Sequence, residues 1–150
     1  KIKIEKNKCV KIDYIIQNAI GTYDKCTILS TDSPSPALIS SFKDLAINVC
    51  EISEFPDEES NRIEVDGLSI KYINDKLEVK IHAKRTLYDS DSPIEFTTPA
   101  KIESFGDFKG SVKSVLSAEC AENVKKILNN AKKFIAGHRA QLTMFCQVGE

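Results

Sequence analysis

Residues 77–83, Leu-Glu-Val-Lys-Ile-His-Ala, have the clearest strand pattern in the chain. Apolar and polar side chains alternate along this segment, which is typical of a strand with one buried face. The set predicted to be buried is Leu77, Val79, Ile81 and Ala83. His82 is predicted to lie on the opposite face, beside Lys80 and Lys84. The segment therefore predicts a half-buried strand in a sheet whose other face is polar.

The flanking sequence continues this alternation and predicts an antiparallel meander. Ile63 and Val65 alternate with polar residues up to Asp66-Gly67, which is either a tight turn or a bulge. Asn74-Asp75 is a turn signal before the strand at 77–83, and a later strand ends at Pro99. Further predictions are strands at 10–16, 26–29 and 68–72, and a loop at 100–115 that holds Phe105 and Phe108 on the core.

Two segments have the period of an amphipathic helix. The first, residues 37–50, follows Ser35-Pro36, which suit an N-cap and a first helical position. The second begins after Ser117, a weak cap, and runs for about twenty residues. The element order ββαββββα predicts an α+β fold, an antiparallel sheet with two main helices packed on one face. We expect residues 1–150 to form a single domain with a C-terminal helix and a short tail.

The net charge of the chain is small because positively and negatively charged segments cancel. Its 150 residues include 21 basic and 22 acidic side chains, for a net charge of −1. Residues 1–11 hold five lysines and one glutamate, and residues 113–139 hold six bases and two acids. Residues 51–66 hold seven acids and one arginine. This balance excludes a uniformly basic coat for nucleic acid but leaves a local contact open.

The cysteines and the apolar runs suggest a reduced compartment. The chain has five cysteines, an odd number, and no C-x-x-C spacing, so we expect reduced thiols and a cytoplasmic location. Cys26, Cys50 and Cys120 lie in apolar stretches and are interpreted as small core residues. The apolar runs are too short for a membrane helix, and the alternating N-terminus does not fit a signal peptide. No local pattern indicates a metal site or a cofactor.

Catalysis is disfavoured because the familiar nucleotide, hydrolase and zinc-protease motifs do not occur in the sequence. A metal-dependent enzyme could be built from carboxylates on strands with a lysine behind them, as Glu64, Asp66, Glu78 and Lys80 would provide. Alternating charges on the wet face of a sheet give the same pattern with no catalytic role, and we favour that interpretation.

The second helix has a basic face that could touch phosphates. It is formed by Lys125, Lys126, Lys132, Lys133 and Arg139. No aromatic side chain interleaves with these bases, so there is no stacking platform for single-stranded nucleic acid. A solvated outer face on the last helix is the alternative interpretation and the one we favour.

The tail contains the most specific motif of the chain, Gln141-Leu142-Thr143-Met144-Phe145. It resembles the clamp-binding peptide of bacterial replication and repair proteins, commonly Gln-Leu-x-Leu-Phe. The resemblance implies that Gln141 enters a small polar subsite, while Leu142, Met144 and Phe145 anchor in an apolar groove. The alternative is that the same apolar side chains pack on the protein's own sheet.

Three segments together resemble a group of small, uncharacterised phage and prophage proteins found among DNA replication and recombination functions. They are residues 32–38, residues 92–99, and Gly137-His138-Arg139-Ala140-Gln141 with Met144-Phe145. The group has no established activity, so the resemblance supplies context and no catalytic residues. His138 stands where a lysine is usual, which weakens a phosphate-binding role there.

The resemblance implies a non-catalytic accessory protein in the cytoplasm of a bacterial host, acting through protein–protein contacts. The expected partner is the sliding clamp or another replication protein, with weak nucleic-acid contact as the alternative. A meander leaves a strand edge with which a second copy of the chain could pair, so a homo-oligomer stays open.

Overall fold

The computed structural model describes residues 1–4, 10–17, 23–29, 36–73, 76–103 and 115–133. These residues form an α+β fold, as the sequence predicts. The strands are β1 Ile2–Ile4, β2 Val10–Gln17, β3 Tyr23–Leu29, β4 Ile63–Ile73, β5 Lys76–Arg85, β6 Ile94–Thr97, β7 Lys101–Glu103 and β8 Val115–Leu116. The helices are α1 Pro36–Asp44, α2 Ala46–Ser53 and α3 Ala118–Lys133, with a 3₁₀ helix at Asp57–Arg62.

The strands form one sheet in the order β3-β2-β1-β4-β5-β7-β8, with β6 also paired to β5. Neighbouring strands are antiparallel except for β7 and β8, which are parallel. β6 and β7 therefore follow one another along the same edge of β5. The predicted antiparallel sheet is confirmed, with one parallel pair added at its edge.

The longest hairpin is β4–β5, and it resolves the choice at Asp66-Gly67 in favour of a bulge. Val65 lies opposite Ala83 and Gly67 lies opposite His82, so Asp66 is the extra residue. The bulge keeps Ile63, Val65 and Leu68 on the buried face on both sides of it. The strands expected on either side of Asp66-Gly67 are consequently one strand of eleven residues.

The first predicted helix is two helices. Leu45 separates α1 from α2, and its N–H donates to the Phe42 carbonyl at 3.2 Å, one residue closer than in an α-helix. The backbone of Leu45 stays near helical angles, with φ −77° and ψ −14°. The break is thus a local tightening, and the predicted apolar stripe still faces the core.

The core lies between the helices and one face of the sheet. Its largest fully buried side chains include Leu38, Phe42, Leu45, Leu68, Leu77, Ile81 and Ile127. Cys50 and Cys120 are buried in the same cluster, which confirms their interpretation as core residues. We call the side of the sheet that faces away from this core the outer face.

Part of the predicted loop at 100–115 is extended structure, because β7 and β8 each pair with a neighbouring strand. Phe105 and Phe108 lie outside the described residues, and so do Ser35 and the side chain of Cys26. Within the described ranges, no helix is long and apolar enough to span a bilayer.

Candidate functional site

The basic face of α3 is partly occupied by an ion pair. Nζ of Lys125 donates to Oε1 of Glu103 at 2.7 Å, and this hydrogen bond raises the pKa of Lys125. Lys126, Lys132 and Lys133 are exposed on the same helix. The opposite side of α3 packs into the core through Cys120, Val124, Ile127 and Ala131. The outer side of the helix therefore presents three exposed lysines and one lysine that a carboxylate engages.

Five of the predicted binding residues lie outside the described residues. They are Arg139, the fifth member of the basic face, and Gln141, Leu142, Met144 and Phe145 of the clamp-like motif.

The four residues of the hypothetical metal-dependent enzyme lie on the outer face but are spread along it. Glu64 lies opposite Lys84, whereas Glu78 lies opposite Lys71. Lys84 and Glu78 are six residues apart on β5, which is about 20 Å along a strand. Among the residues that the structure describes, no group of three or more His, Cys, Asp or Glu side chains could hold a metal ion.

Asp66, in the bulge, is held by a lysine from the neighbouring strand. Its Oδ2 lies 3.7 Å from Nζ of Lys84, which also lies 3.9 Å from Oε1 of Glu95 on β6. Burial raises the pKa of Asp66 even though Lys84 opposes the shift. Lys84 thus forms ion pairs with two carboxylates, those of Asp66 and Glu95, on the outer face.

Another polar group of the outer face is centred on His82. Its Nε2 lies 2.9 Å from Oγ of Ser69 on β4, and its Nδ1 lies 2.7 Å from Oγ1 of Thr97 on β6. Both ring nitrogens therefore have a hydroxyl partner, one on each side of β5. We call Ser69, His82 and Thr97 the hydroxyl–imidazole row.

The absence of a side chain at Gly67 leaves space for the imidazole of His82. A Cβ at position 67 would lie 3.2 Å from both Cβ and Cδ2 of His82, tighter than ordinary van der Waals contact. The cross-strand partner of His82 therefore has no side chain, and the ring lies over the backbone of β4.

Burial lowers the pKa of His82, and Lys3 and Lys80 add to this effect while Asp66 opposes it. The imidazole therefore favours its neutral form more than an exposed histidine does. A neutral imidazole has one N–H and one bare nitrogen, and both are satisfied by hydroxyl groups, which can donate or accept.

The sequence predicts part of this row. The alternation along β5 places His82 on the polar face beside Lys80 and Lys84, and the structure confirms it. The hydroxyl partners follow only from the registers of β4 and β6, because Ser69 and Thr97 are 13 and 15 residues from His82. A polar residue at 69 and 97 fits any wet strand face, so nothing in the local sequence singled these two out.

A second polar group connects the 3₁₀ helix to the end of β5. Oε2 of Glu59 accepts hydrogen bonds from Arg62 and Arg85, each at 2.9 Å. The guanidinium of Arg85 lies 4.6 Å from the ring centroid of Phe55, and that of Arg62 lies 3.6 Å from the centroid of Tyr88. This group fastens the acidic segment to the sheet, which makes its role structural.

An apolar groove of about 650 Å³ runs between α1 and the edge of β4. Its apolar lining comes from Ile4, Ile39, Phe42, Ala46, Ile63 and Val65. The rest of its lining is polar and consists of Lys43, Ser60, Asn61 and Glu64, so the groove combines an apolar surface with a polar rim.

No protein-family model matches the sequence, and neither a curated protein nor a solved structure matches the chain. The functional proposals below therefore stand on the motifs of the sequence and on the placement of the described side chains.

Proposed function

We propose that the protein is a non-catalytic accessory factor of phage DNA replication or recombination that acts through protein–protein contacts in the bacterial cytoplasm. Its tail, residues 141–145, docks onto the host sliding clamp. The observation that carries this proposal is the motif Gln141-Leu142-Thr143-Met144-Phe145. The resemblance to small, uncharacterised phage and prophage proteins found among DNA replication and recombination functions supports the same context.

The placement of the core supports a tail that can engage a partner. The core already joins the sheet to all three α-helices, and its last member on α3 is Ala131. Gln141 follows ten residues later. Seven residues separate Lys133 from Gln141, and such a stretch can span roughly 25 Å when extended. A stretch of this length is long enough for the motif to reach a groove on a partner.

The chemistry of the motif fits an apolar groove with one polar subsite. Leu142, Met144 and Phe145 offer three apolar anchors, and a few such anchors supply most of the affinity of a peptide interface. Met144 stands where leucine is common, and its flexible thioether suits the same apolar pocket. Gln141 adds a donor and an acceptor that set the register of the peptide.

Surface plasmon resonance with immobilised sliding clamp tests the proposal on the full chain. We expect the wild type to bind and the double variant Gln141→Ala, Phe145→Ala to bind at least about tenfold more weakly, because one apolar anchor and the polar contact of Gln141 are removed. Thr143→Ala is the matched control, since position 143 is the variable one of the motif, and it should bind like the wild type. Equal binding by wild type and double variant, or none by either, contradicts the proposal.

The thermal midpoint of the double variant separates docking from self-packing. If the tail serves a partner, the midpoint should equal that of the wild type. A Phe145 that packs on its own sheet would lower the midpoint, since removing a buried phenylalanine costs about 3–5 kcal/mol.

A second candidate function is nucleic-acid binding by the basic face of α3. The exposure of Lys126, Lys132 and Lys133 on one helix favours it. Such binding should weaken steeply with salt, and the slope should fall by about 0.7–0.9 for each phosphate contact removed. Lys125 should contribute less than its neighbours because Glu103 engages it.

Fluorescence anisotropy with labelled single and double strands tests this second function. Lys126→Gln should reduce both the affinity and the salt slope, whereas Lys43→Gln, an equal charge change on α1, should leave them unchanged. Absence of binding by the wild type at low salt removes this candidate. The spread of Glu64, Asp66 and Glu78 gives a metal-dependent enzyme no support, and we do not propose one.

A further inference from the structure

The hydroxyl–imidazole row has more protons than its internal hydrogen bonds use. A neutral imidazole contributes one N–H, and the hydroxyls of Ser69 and Thr97 contribute one O–H each. The two hydrogen bonds to His82 take up two of these three protons. One hydroxyl proton is therefore left to donate to another molecule.

Protonation of His82 increases the number of available donors. Both ring nitrogens of an imidazolium donate, so the hydroxyl oxygens of Ser69 and Thr97 act as acceptors in both bonds. Both hydroxyl protons then become available, and the row gains a positive charge. Such a row becomes a better anion site when it takes up a proton.

The charged side chains around the row are mostly basic. Lys80 lies directly opposite Ser69, and Lys3 lies opposite Gly67, beside the imidazole. Among the described residues, the charged groups that act on His82 are Lys1 and Lys3 from the β1 side, Asp66 from β4 and Lys80 from β5. Lys84 of β5 and Glu95 of β6 act in turn on Asp66. Among the described residues, four lysines and two carboxylates thus lie in this part of the outer face, and Lys84 is close to both carboxylates while Lys3 also acts on Asp66.

The row can be reached from the outer face. Thr97 and Lys80 are exposed, and Ser69 and His82 are half-buried. The described helices α1, α2 and α3 pack on the other face of the sheet. Gly67 adds no side chain beside the ring.

We propose that Ser69, His82 and Thr97, with Lys3 and Lys80, form a binding site for a phosphate group, presented either by a nucleic-acid backbone or by a free nucleotide. The hydroxyls donate hydrogen bonds to the phosphate oxygens, and the lysines supply the positive charge. Phosphate binding favours the imidazolium, so ligand and proton bind cooperatively. The site lies on the face opposite α3 and does not involve the tail, so it goes beyond the proposed function and does not depend on it.

Histidine-detected NMR on the full chain tests the proposal. The imidazole signals of His82 are followed from pH 5 to pH 8, in chloride and with sulfate, thymidine monophosphate or a short thymidine oligonucleotide at matched ionic strength. We expect each phosphate probe to raise the pKa of His82 by about one unit, which corresponds to roughly tenfold tighter binding to the protonated protein. Free imidazole in the same sample serves as the reference.

Variants of the row test whether its hydroxyl groups bind the phosphate, in addition to the positive charge of the nearby lysines. Ser69→Ala and Thr97→Val should each weaken phosphate binding roughly tenfold, since each removes a hydrogen bond to a charged group. Ser90→Ala, which removes an exposed hydroxyl in the β5–β6 connection, should have no effect. Lys80→Gln keeps the row intact and should also weaken binding, which covers the case in which a row variant fails to fold.

The probes distinguish the source of the phosphate. Tighter binding of the oligonucleotide than of the mononucleotide identifies a backbone phosphate as the preferred ligand, and the reverse order identifies a terminal phosphate. A response to sulfate and to neither phosphate probe shows an adventitious ion only and overturns the proposal. An unchanged pKa of His82 with every probe also overturns it.

Discussion

Asn123 on α3 donates a hydrogen bond through Nδ2 to Oδ1 of Asn48 on α2 at 2.9 Å, and Asn48 is fully buried. Seven residues further along α3, Nδ2 of Asn130 donates to Oγ of Ser41 on α1, also at 2.9 Å. Asn48 and Ser41 are likewise seven residues apart, so the two contacts repeat at one spacing along antiparallel helices. They set the register of α3 within an otherwise apolar interface.

The two members of the Asn48–Asn123 pair should respond differently to substitution. Asn123→Ala leaves the buried Oδ1 of Asn48 without its partner and should cost about 1–3 kcal/mol in the free energy of unfolding. Asn48→Leu should be near neutral or stabilising, because it also removes a buried Nδ2 that has no hydrogen-bond partner within the described ranges. Urea denaturation measures both values.

Asn129→Ala on the exposed side of α3 is the matched control for this pair and should change the stability by less than about 0.5 kcal/mol. A larger loss for Asn48→Leu than for Asn123→Ala would show that the pair is satisfied in another way.

Glu59 should make the stability of the fold depend on acid pH. The hydrogen bond from Arg85, with further contributions from Arg62, holds the pKa of Glu59 below its ordinary value. A carboxyl group with a lowered pKa contributes stability that is present above the ordinary pKa and is lost as the pH falls through the folded-state pKa. Glu59→Gln should therefore be less stable than the wild type at pH 7, and this difference should shrink as the pH falls through the lowered folded-state pKa of Glu59.

Denaturant titrations at pH 7 and at pH 3 measure the effect of Glu59. Glu58→Gln is the control, because Glu58 is an exposed neighbour on the same 3₁₀ helix and should show no such difference. A stability gap for Glu59→Gln that is equal at both pH values would contradict an electrostatic origin.

The sequence predicts those parts of the fold in which one hydrophobic pattern repeats over many residues. The alternation along β5 places each side chain on the correct face, and the stripe of α3 is buried as expected. Ser117 also caps α3, since its Oγ accepts from the N–H of Cys120 at 3.2 Å. Ten or more residues of one pattern outweigh local exceptions, so these elements are visible without any tertiary information.

The missed elements depend on contacts between distant segments. β1, β7 and β8 have three, three and two residues, too few to show a period, and only pairing with a neighbour makes them strands. The hydroxyl–imidazole row was missed for the same reason, because Ser69 and Thr97 meet His82 through strand register. The clamp motif and Arg139 stay predictions of the sequence.

The buried thiols should be protected until the protein unfolds. Burial raises the pKa of Cys120 to about 12 and also raises that of Cys50. Only the thiolate reacts, so this raised pKa lowers the reactivity of Cys120 in the folded protein. In a variant with Cys9→Ser, Cys26→Ala and Cys146→Ser, native protein should react with a thiol reagent only as fast as it opens.

The labelling rate of this variant should rise with urea along the unfolding curve, and unfolded protein should react fully. Rapid labelling in the absence of urea would mean that the helix–sheet interface opens locally around Cys50 or Cys120.

Thr98 should be the most sensitive single position at the edge of β5. It lies between β6 and β7, directly before Pro99, and it is buried. Its N–H donates to the carbonyl of Ile81 and its Oγ1 accepts the N–H of Ile81, both at 2.9 Å, so a side chain completes the ladder. Thr98→Val keeps the shape but removes the acceptor, which leaves a buried N–H unpaired and should cost about 1–3 kcal/mol. Thr98→Ser keeps the hydroxyl, so its free energy of unfolding should fall by less than that of the valine variant. Hydrogen exchange at the Ile81 amide should accelerate only in the valine variant. A valine variant as stable as the wild type, with a protected Ile81 amide, would show that the backbone can rejoin β6 and β7 without this hydroxyl.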